Sequence, residues 1–525
     1  VSAKAALAFC SLALCALLTS GCRVGPKYVA AAPPPPAPAY KEVSPEAYKD
    51  TQPGAWKPAA PGDAMLKGKW WEVFHEPELN ALEEQLNINN QNIAEYFQNF
   101  MAARAQIAQA RSQLFPTLSV GPAYTRAKTP STLSGFGVSN AASGTTGTTG
   151  TTGTGATTNS SGRTSTDLSL PFDVSWEPDL WGKVRNTILE YQNAAQISAA
   201  TLENERLTEQ ADLAEYYFEL RGQDALQDLY NRTIVADQKS LDLTKALYET
   251  GIDNEESVVQ AQVTLQNAQE AGAGIATNRA IYEHAIATLI GKPASSFSMP
   301  VKSLTTPVPS IPLGVPSQLL QRRPDVAAAE RTMAEANAVI GIEKAAYYPT
   351  LDLTGSGGLE SSAISQLFSL PALFWSAGGT ATETIFDGGL RRATVEQYKA
   401  QYNADVASYR QTVLTAFQQV EDYLATLRVT SDQLVRENAA VQSAQRYLDL
   451  ATARYETGLD PYLNVVTAET TLLSNQQTQV SLQVSEMTAA VELIQALGGG
   501  WDTTLLPSEK TINTPAGVRT VQTTP

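Results

Sequence analysis

The strongest constraint on the fold is a repeated turn. Tyr248-Glu249-Thr250-Gly251-Ile252-Asp253 recurs as Tyr455-Glu456-Thr457-Gly458-Leu459-Asp460, an offset of 455 − 248, or 207 residues. Each copy follows one long helix-forming run and precedes another. A Gly just past such a run reads as a helix C-cap, because Gly takes a left-handed backbone without a steric penalty. Gly251 and Gly458 therefore mark the tips of two helical hairpins. A tip written twice points to a duplicated half-molecule.

The helices around the tips share a seven-residue pattern. Val413, Val420, Leu427, Leu434, Val441, Leu448 and Tyr455 form an unbroken series. One offset earlier, Leu213, Leu220, Ile234, Leu241 and Tyr248 answer it, with Arg206 and Gln227 interrupting. A strict seven-residue repeat winds helices into a left-handed supercoil. A helix over residues 182–250 would reach roughly 100 Å at about 1.5 Å per residue. Return helices are predicted over residues 258–290 and 465–497, ending at Gly291 and Gly498. A further helix precedes each hairpin, over residues 79–114 and 326–347. These stop at Phe115-Pro116-Thr117-Leu118 and Tyr348-Pro349-Thr350-Leu351. The two prolines lie 349 − 116, or 233, residues apart, so the first half holds 233 − 207, or 26, additional residues. Residues 143–162, almost wholly Gly, Thr, Ser and Ala, supply them as a flexible loop.

Between helix and hairpin the period changes to two. Leu168, Leu170, Phe172, Val174 and Trp176 fall on one side of a predicted strand, and Asp167, Ser169, Pro171, Asp173, Ser175 and Glu177 on the other. The apolar side has the length of a tilted membrane-spanning strand, about 9–11 residues. Alternation alone fits a half-buried strand of a soluble sandwich equally well. The second half alternates more weakly, at Leu351, Leu353 and Leu359. Its last strand, predicted over residues 375–386, sets Glu383 on the side of Trp375 and Ile385. Each half thus offers about two strands. Four strands cannot close a barrel, and hydrocarbon does not tolerate open edges. If these strands span a membrane, several chains must share one barrel.

Residues 1–21 read as a signal peptide, with Lys4 ahead of an apolar run over residues 5–18. Leu18-Thr19-Ser20-Gly21-Cys22 is close to a bacterial lipoprotein box, with Thr19 where Leu is usual. Cys22 is the expected lipidation site; the other reading is an ordinary signal peptide. Arg23 follows it rather than the Asp associated with inner-membrane retention, which points to the outer membrane. Residues 30–61 are rich in Ala and Pro and should be extended. The expected division is residues 22–69 as a lipidated N-terminal segment, 70–300 and 301–500 as the two repeats, and 501–525 as a loosely held polar tail.

The net charge of −16 speaks against nucleic acid as a partner. It leaves plain solubility and a charge-lined passage as equal readings. No Cys lies beyond Cys22, and His75 and His284 have no motif around them, so neither a disulfide framework nor a zinc cluster is expected in the body. There is no phosphate-cradling Gly loop and no nucleophile with a nearby His. An enzyme is not expected, nor a cofactor other than covalent lipid on Cys22.

At this point the chain resembles the TolC-like outer membrane factors, in their OprM-type lipoprotein branch. The matching residues are Gly21-Cys22-Arg23-Val24-Gly25-Pro26-Lys27-Tyr28, Phe115-Pro116-Thr117-Leu118, and Trp176-Glu177-Pro178-Asp179-Leu180-Trp181-Gly182-Lys183-Val184-Arg185. Leu320-Gln321-Arg322-Arg323-Pro324-Asp325-Val326, Ile385-Phe386-Asp387-Gly388-Gly389 and the two tips follow in order. The resemblance implies a membrane α+β protein: a homotrimer with a twelve-stranded transmembrane β-barrel, four strands per chain, continued by a twelve-helix periplasmic α-barrel. It implies the passive exit duct of a tripartite efflux system for drugs, metals or other small molecules. Its partners would be outer-membrane lipid, a periplasmic adaptor and an inner-membrane transporter such as an RND pump.

The family's gate lies at the periplasmic tips. By position its constriction falls on Leu463, Asn464 and Thr467. Relatives often carry Asp at the last two, and this chain carries neither. Negative charge beside Tyr248 and Tyr455 would then come from Asp253, Glu255, Glu256 and Asp460, which read equally as solvated turn residues. Two other functions remain open at this stage: a conduit for secreted proteins or peptides, and a lipid-anchored coiled-coil envelope spacer without a lumen.

Overall fold

The computed structural model describes residues 23–37, 40–42, 68–128, 164–304, 306–309, 311 and 319–513. Cys22 and the Gly/Thr-rich segment 143–162 lie outside these. The chain divides into two compact units. One comprises Val1–Gly25, Gln109–Ile188 and Ile340–Val395; the other comprises Pro26–Ala108, Leu189–Val339 and Glu396–Pro525.

The first unit is built on one antiparallel sheet: β1 (Thr117–Val120), β2 (Ala123–Lys128), β3 (Thr164–Trp176), β4 (Thr350–Ser361) and β5 (Leu373–Thr382). The order is β1-β3-β4-β5, with β2 also on β3. β1 and β2 keep a single register along β3, from Thr117↔Ser175 to Lys128↔Thr164. They are one strand path, interrupted at Gly121-Pro122 opposite Leu170-Pro171. A proline has no N–H for the ladder, so at this level only the Gly121 N–H donates, to the Pro171 carbonyl at 3.4 Å, and Pro171 cannot return the bond. Beyond β3, Pro171 faces Gly358. A Cβ on Gly358 would lie within 2.2 Å of the Leu170 carbonyl oxygen, so this strand crossing requires glycine. The halves of the duplication meet at β3 and β4.

The alternation expected of one strand extends across the sheet. Residues directly opposite in an antiparallel pair share a face. Leu118↔Val174, Val120↔Phe172, Tyr124↔Leu168, Leu170↔Leu359 and Trp176↔Leu353 thus lie on one side, joined by Leu373 and Trp375. Ser119↔Asp173, Thr125↔Asp167, Ser169↔Glu360 and Asp352↔Thr380 lie on the other. The final strand departs from expectation. β5 stops at Thr382, and Glu383 pairs with Arg391 at 3.1 Å, while Arg391 also holds Asp387 at 2.6 Å. Glu383 is therefore not part of the apolar face. In this unit the N-terminal segment is fixed as well: Val24 donates its N–H to the Trp181 carbonyl at 3.0 Å, and Arg23 Nε donates to Asn186 Oδ1 at 2.6 Å.

The second unit is helical. The single helix expected over residues 79–114 is two, α1 (Pro77–Asn89) and α2 (Gln91–Ser112). Asn90 divides them: its extended backbone closes α1, and its Oδ1 accepts from the Ile93 N–H at 3.0 Å to open α2. An Asn is favoured at such a cap because its side chain satisfies an orphan N–H. The hairpins are α3 (Lys183–Glu249) with α4 (Glu255–Leu289), and α6 (Leu390–Glu456) with α7 (Tyr462–Ala496); α5 (Pro324–Ala345) precedes the second. The seven-residue series packs inward. Leu213, Leu220, Val413 and Val420 are fully buried.

The largest core gathers Trp70, Trp71 and Phe74 with Leu79, Leu86, Phe218, Leu220 and Ile494. Burying each such side chain contributes about 1.5–3 kcal/mol. Most of its polar members are satisfied, although the Trp71 Nε1 has no hydrogen-bond partner among the described residues. Trp70 Nε1 donates to Gln210 Oε1 at 3.1 Å, and the Tyr217 hydroxyl donates to Glu76 at 3.0 Å. The N-terminal strip is tied down by Tyr28, whose hydroxyl donates to Glu330 at 2.5 Å, and by the buried Tyr40. Residues 501–513 are packed rather than loose: Trp501 and Ile512 are buried, and Gln192 donates to Asn513 at 3.0 Å.

Candidate functional site

The tips lie in the helical unit and share one backbone solution. At the first, Gly251 has φ +73°, its N–H reaches the Tyr248 carbonyl at 2.9 Å, and Ile252 N–H reaches the Leu247 carbonyl at 3.0 Å. At the second, Gly458 has φ +71°, with Gly458 N–H to Tyr455 at 2.8 Å and Leu459 N–H to Arg454 at 2.9 Å. Both are Schellman caps, which satisfy the last helical carbonyls.

The side chains are not equivalent. Tyr455 is buried, while Tyr248 is 47% exposed. The Tyr455 hydroxyl donates to Asp253 Oδ2 at 2.6 Å, and its ring meets Tyr462 at 5.2 Å. The first tip is thereby bonded to the second. Asp253 also accepts from the Asn254 N–H at 2.8 Å and the Ser257 hydroxyl at 2.9 Å. Burial acts to raise its carboxyl, but these three donors outweigh it and hold the group below its ordinary value. Burial, then the bond to Asp253, pushes the Tyr455 phenol up. At the other tip, Asp460 takes two hydrogen bonds from Arg454, at 2.6 and 3.1 Å, and that guanidinium holds its carboxyl low. Asp460 is therefore charge-compensated within its own tip.

Of the remaining candidates, Glu255, Glu256 and Leu463 line a cleft of about 690 Å³ together with Val259, Pro461 and Tyr462. Leu463 is 56% exposed. Glu256, one offset before Leu463, shares this cleft with it. Glu255 and Glu256 occupy the first turn of α4, where negative charge complements the helix dipole. Asn464 is half-buried, and the Thr467 hydroxyl donates to the Leu463 carbonyl at 2.8 Å, one turn back. Sequence reasoning missed Arg454 and Tyr462. Arg454 carried a signal, a cation in a last helical turn ahead of an Asp; Tyr462 carried none without its partner helix.

In the sheet unit, Leu168, Leu170, Phe172, Val174 and Trp176 share the apolar face. Phe172 and Val174 are exposed in the single chain, and Trp176 Nε1 donates to the Leu114 carbonyl at 3.1 Å. Among the described residues there is no group of three or more His, Cys, Asp or Glu able to hold a metal ion. No described helix is long and apolar enough to cross a membrane.

The model of a family described as outer membrane efflux protein matches residues 82–292 and 315–499. The antibiotic efflux pump outer membrane protein ArpC of Pseudomonas putida is 30% identical over 517 residues, covering 97% of this chain and 99% of the relative. The outer membrane protein OprJ of Pseudomonas aeruginosa is 28% identical over 443 residues, covering 82% and 86%. Among solved structures, the outer-membrane channel OprN superposes with a TM-score of 0.77 at 26% identity, over 91% of this chain and 100% of that one.

Proposed function

Because this chain belongs to the outer membrane efflux protein family, we propose that it works as the outer-membrane exit duct of a tripartite efflux system. The observation that carries the reading is the sheet. One face is apolar from Leu118 to Trp375 apart from Arg126 and Lys128 at the far end of β2, the other bears Asp167, Asp173, Asp352 and Glu360, and the outer edges of β1/β2 and β5 are unpaired among the described residues. Such a sheet satisfies its backbone in lipid only by joining copies of itself into a closed barrel. Three chains give twelve strands, and their hairpins supply the twelve helices of a periplasmic barrel. The apolar face then meets lipid and the acidic face lines the passage.

The tips form the gate in this proposal. The exposed Leu463 provides an apolar constriction, and the Tyr455–Asp253 bond holds the two hairpins of a chain together. The cleft between Glu256 and Leu463 receives a periplasmic adaptor, which links the duct to an inner-membrane transporter such as an RND pump. The relative named for antibiotic efflux supports small molecules as cargo. Cys22 carries the lipid anchor, just ahead of the Arg23 and Val24 contacts.

The test is to purify the full-length protein, determine its oligomeric mass and record single-channel currents in planar bilayers. A trimer with low resting conductance, raised by tip substitutions, is expected. A monomer, or a trimer that never conducts, overturns the proposal.

A further inference from the structure

A second cleft, of about 420 Å³, lies farther up the hairpins between α3, α4 and α7. Its walls include Tyr230, Val263, Val466 and Leu473, and it contains two carboxylates, Asp237 of α3 and Glu469 of α7. Asp237 is only 3% exposed. Its Oδ2 and the Glu469 Oε2 are buried and have no hydrogen-bond partner among the described residues. Glu469 Oε1 has one, the Ser240 hydroxyl at 3.0 Å. None of the described residues lining the cleft is basic.

Two buried carboxylates without a cation are costly, and the interior offers three ways to neutralise them: protons, a metal ion or an organic cation. A metal ion fits poorly, because only two carboxylates converge and much of the wall is apolar. A ligand with an apolar body and an ammonium group fits both parts. Its body lies against Val263, Val466 and Leu473, its charge meets the two acids, and Tyr230 adds an aromatic residue to the wall. We propose that this cleft is a binding site for an amphipathic amine, with Asp237 and Glu469 as its charge partners.

The duplication gives an internal contrast. The positions one offset away are Ala444 and Gln262, so the acids belong to this pairing of helices alone. Burial pushes the Asp237 carboxyl up to about 6. Burial and then the neighbouring Asp237 push Glu469 up to about 7, against the Ser240 bond. On the other faces, α4 contributes Gln260, Thr264 and Asn267, which do not titrate, and α7 contributes Tyr462, which burial keeps protonated. Without a ligand the cleft thus holds a proton up to about neutrality, chiefly on Glu469, and an entering ammonium displaces it. The site is a property of one chain and does not depend on the conduction reading.

Dansylcadaverine, a fluorescent apolar group bearing a primary ammonium, is the probe, with neutral dansylamide as its control. Both are titrated against the full-length oligomer in detergent. The expected result is a blue-shifted, saturable signal for dansylcadaverine only, tightening as pH rises from about 6 to about 8. Asp237→Asn and Glu469→Gln should each weaken binding about tenfold or more. Val263 is 49% exposed, so Val263→Trp should leave folding intact and fill the cleft, abolishing the signal with both acids in place. Equal binding of dansylamide, unchanged binding in all three variants, or displacement by equimolar magnesium chloride overturns the proposal.

Discussion

The Tyr455 hydroxyl donates to Asp253 Oδ2 at 2.6 Å across 202 residues of sequence. Tyr455 closes the second hairpin and Asp253 lies in the turn of the first, so this bond couples the two copies of the repeat. The related pair, Tyr248 and Asp460, does not repeat it, because Asp460 is held by Arg454. At the tips the bond is therefore made by one of the two related pairs and can be removed by one substitution.

Tyr455→Phe should loosen the tips. A hydrogen bond to a half-buried carboxylate contributes about 1 kcal/mol after solvent screening. Single-channel conductance should rise while trimer yield stays unchanged. The effect on acid stability follows from the lowered Asp253 carboxyl. A lowered folded value stabilises the protein fully above the unfolded value of about 3.9, and this is lost as pH falls through the folded value. With Tyr455 gone, the Asn254 and Ser257 donors remain, so acid unfolding followed by circular dichroism should begin at slightly higher pH. Unchanged conductance together with an unchanged acid midpoint would remove the coupling.

Leu463→Gly and Glu256→Gly separate the two sides of the tip cleft. With an apolar constriction at Leu463, its loss should raise conductance and admit large antibiotics to cells. Glu256→Gly should mainly change ion selectivity. If Asn464 or Thr467 substitutions open the pore and Leu463→Gly does not, the constriction lies at those positions.

Phe172 and Ser169 lie on opposite faces of β3. Arg at a mid-membrane lipid-facing position costs about 2–4 kcal/mol. Phe172→Arg should therefore reduce assembled trimer on semi-native gels far more than Ser169→Arg. Equal losses would reverse or abolish the membrane assignment of the faces.

Cys22→Ser should abolish metabolic lipid labelling while trimers still assemble, because in the proposed barrel the sheet itself supplies the membrane contact. Mass spectrometry of the native protein should find acyl chains on Cys22; an unmodified thiol there would exclude the anchor.

Gly358→Ala would force a methyl group against the Leu170 carbonyl oxygen where β4 crosses Pro171. The expected outcome is a marked loss of trimer, compared with little change for Gly251→Asn, since Asn tolerates a left-handed cap. Similar yields for both would show that β3 and β4 can part at this level.

What sequence alone determined was everything governed by local period and local chemistry. The seven-residue series, the glycines at the tips and the 207-residue offset require no partner to be legible, because helix phase and cap geometry are set within a few residues. One strand of clean alternation, Leu168 to Trp176, was legible for the same reason. The tertiary structure decided what depends on residues distant in the chain. The ladder weakens between β1 and β2 because the register sets Gly121-Pro122 against Leu170-Pro171, where Pro171 has no N–H to give. Glu383 leaves the apolar face because Arg391, at the start of a helix, captures it. Asn90 divides a helix whose composition reads as continuous. Above all, two nearly identical tips became unequal because Tyr455 found Asp253 and Tyr248 did not find Asp460. Copying a sequence preserves each tip's backbone, but a contact between copies belongs to neither of them, and it is fixed only when the hairpins pack.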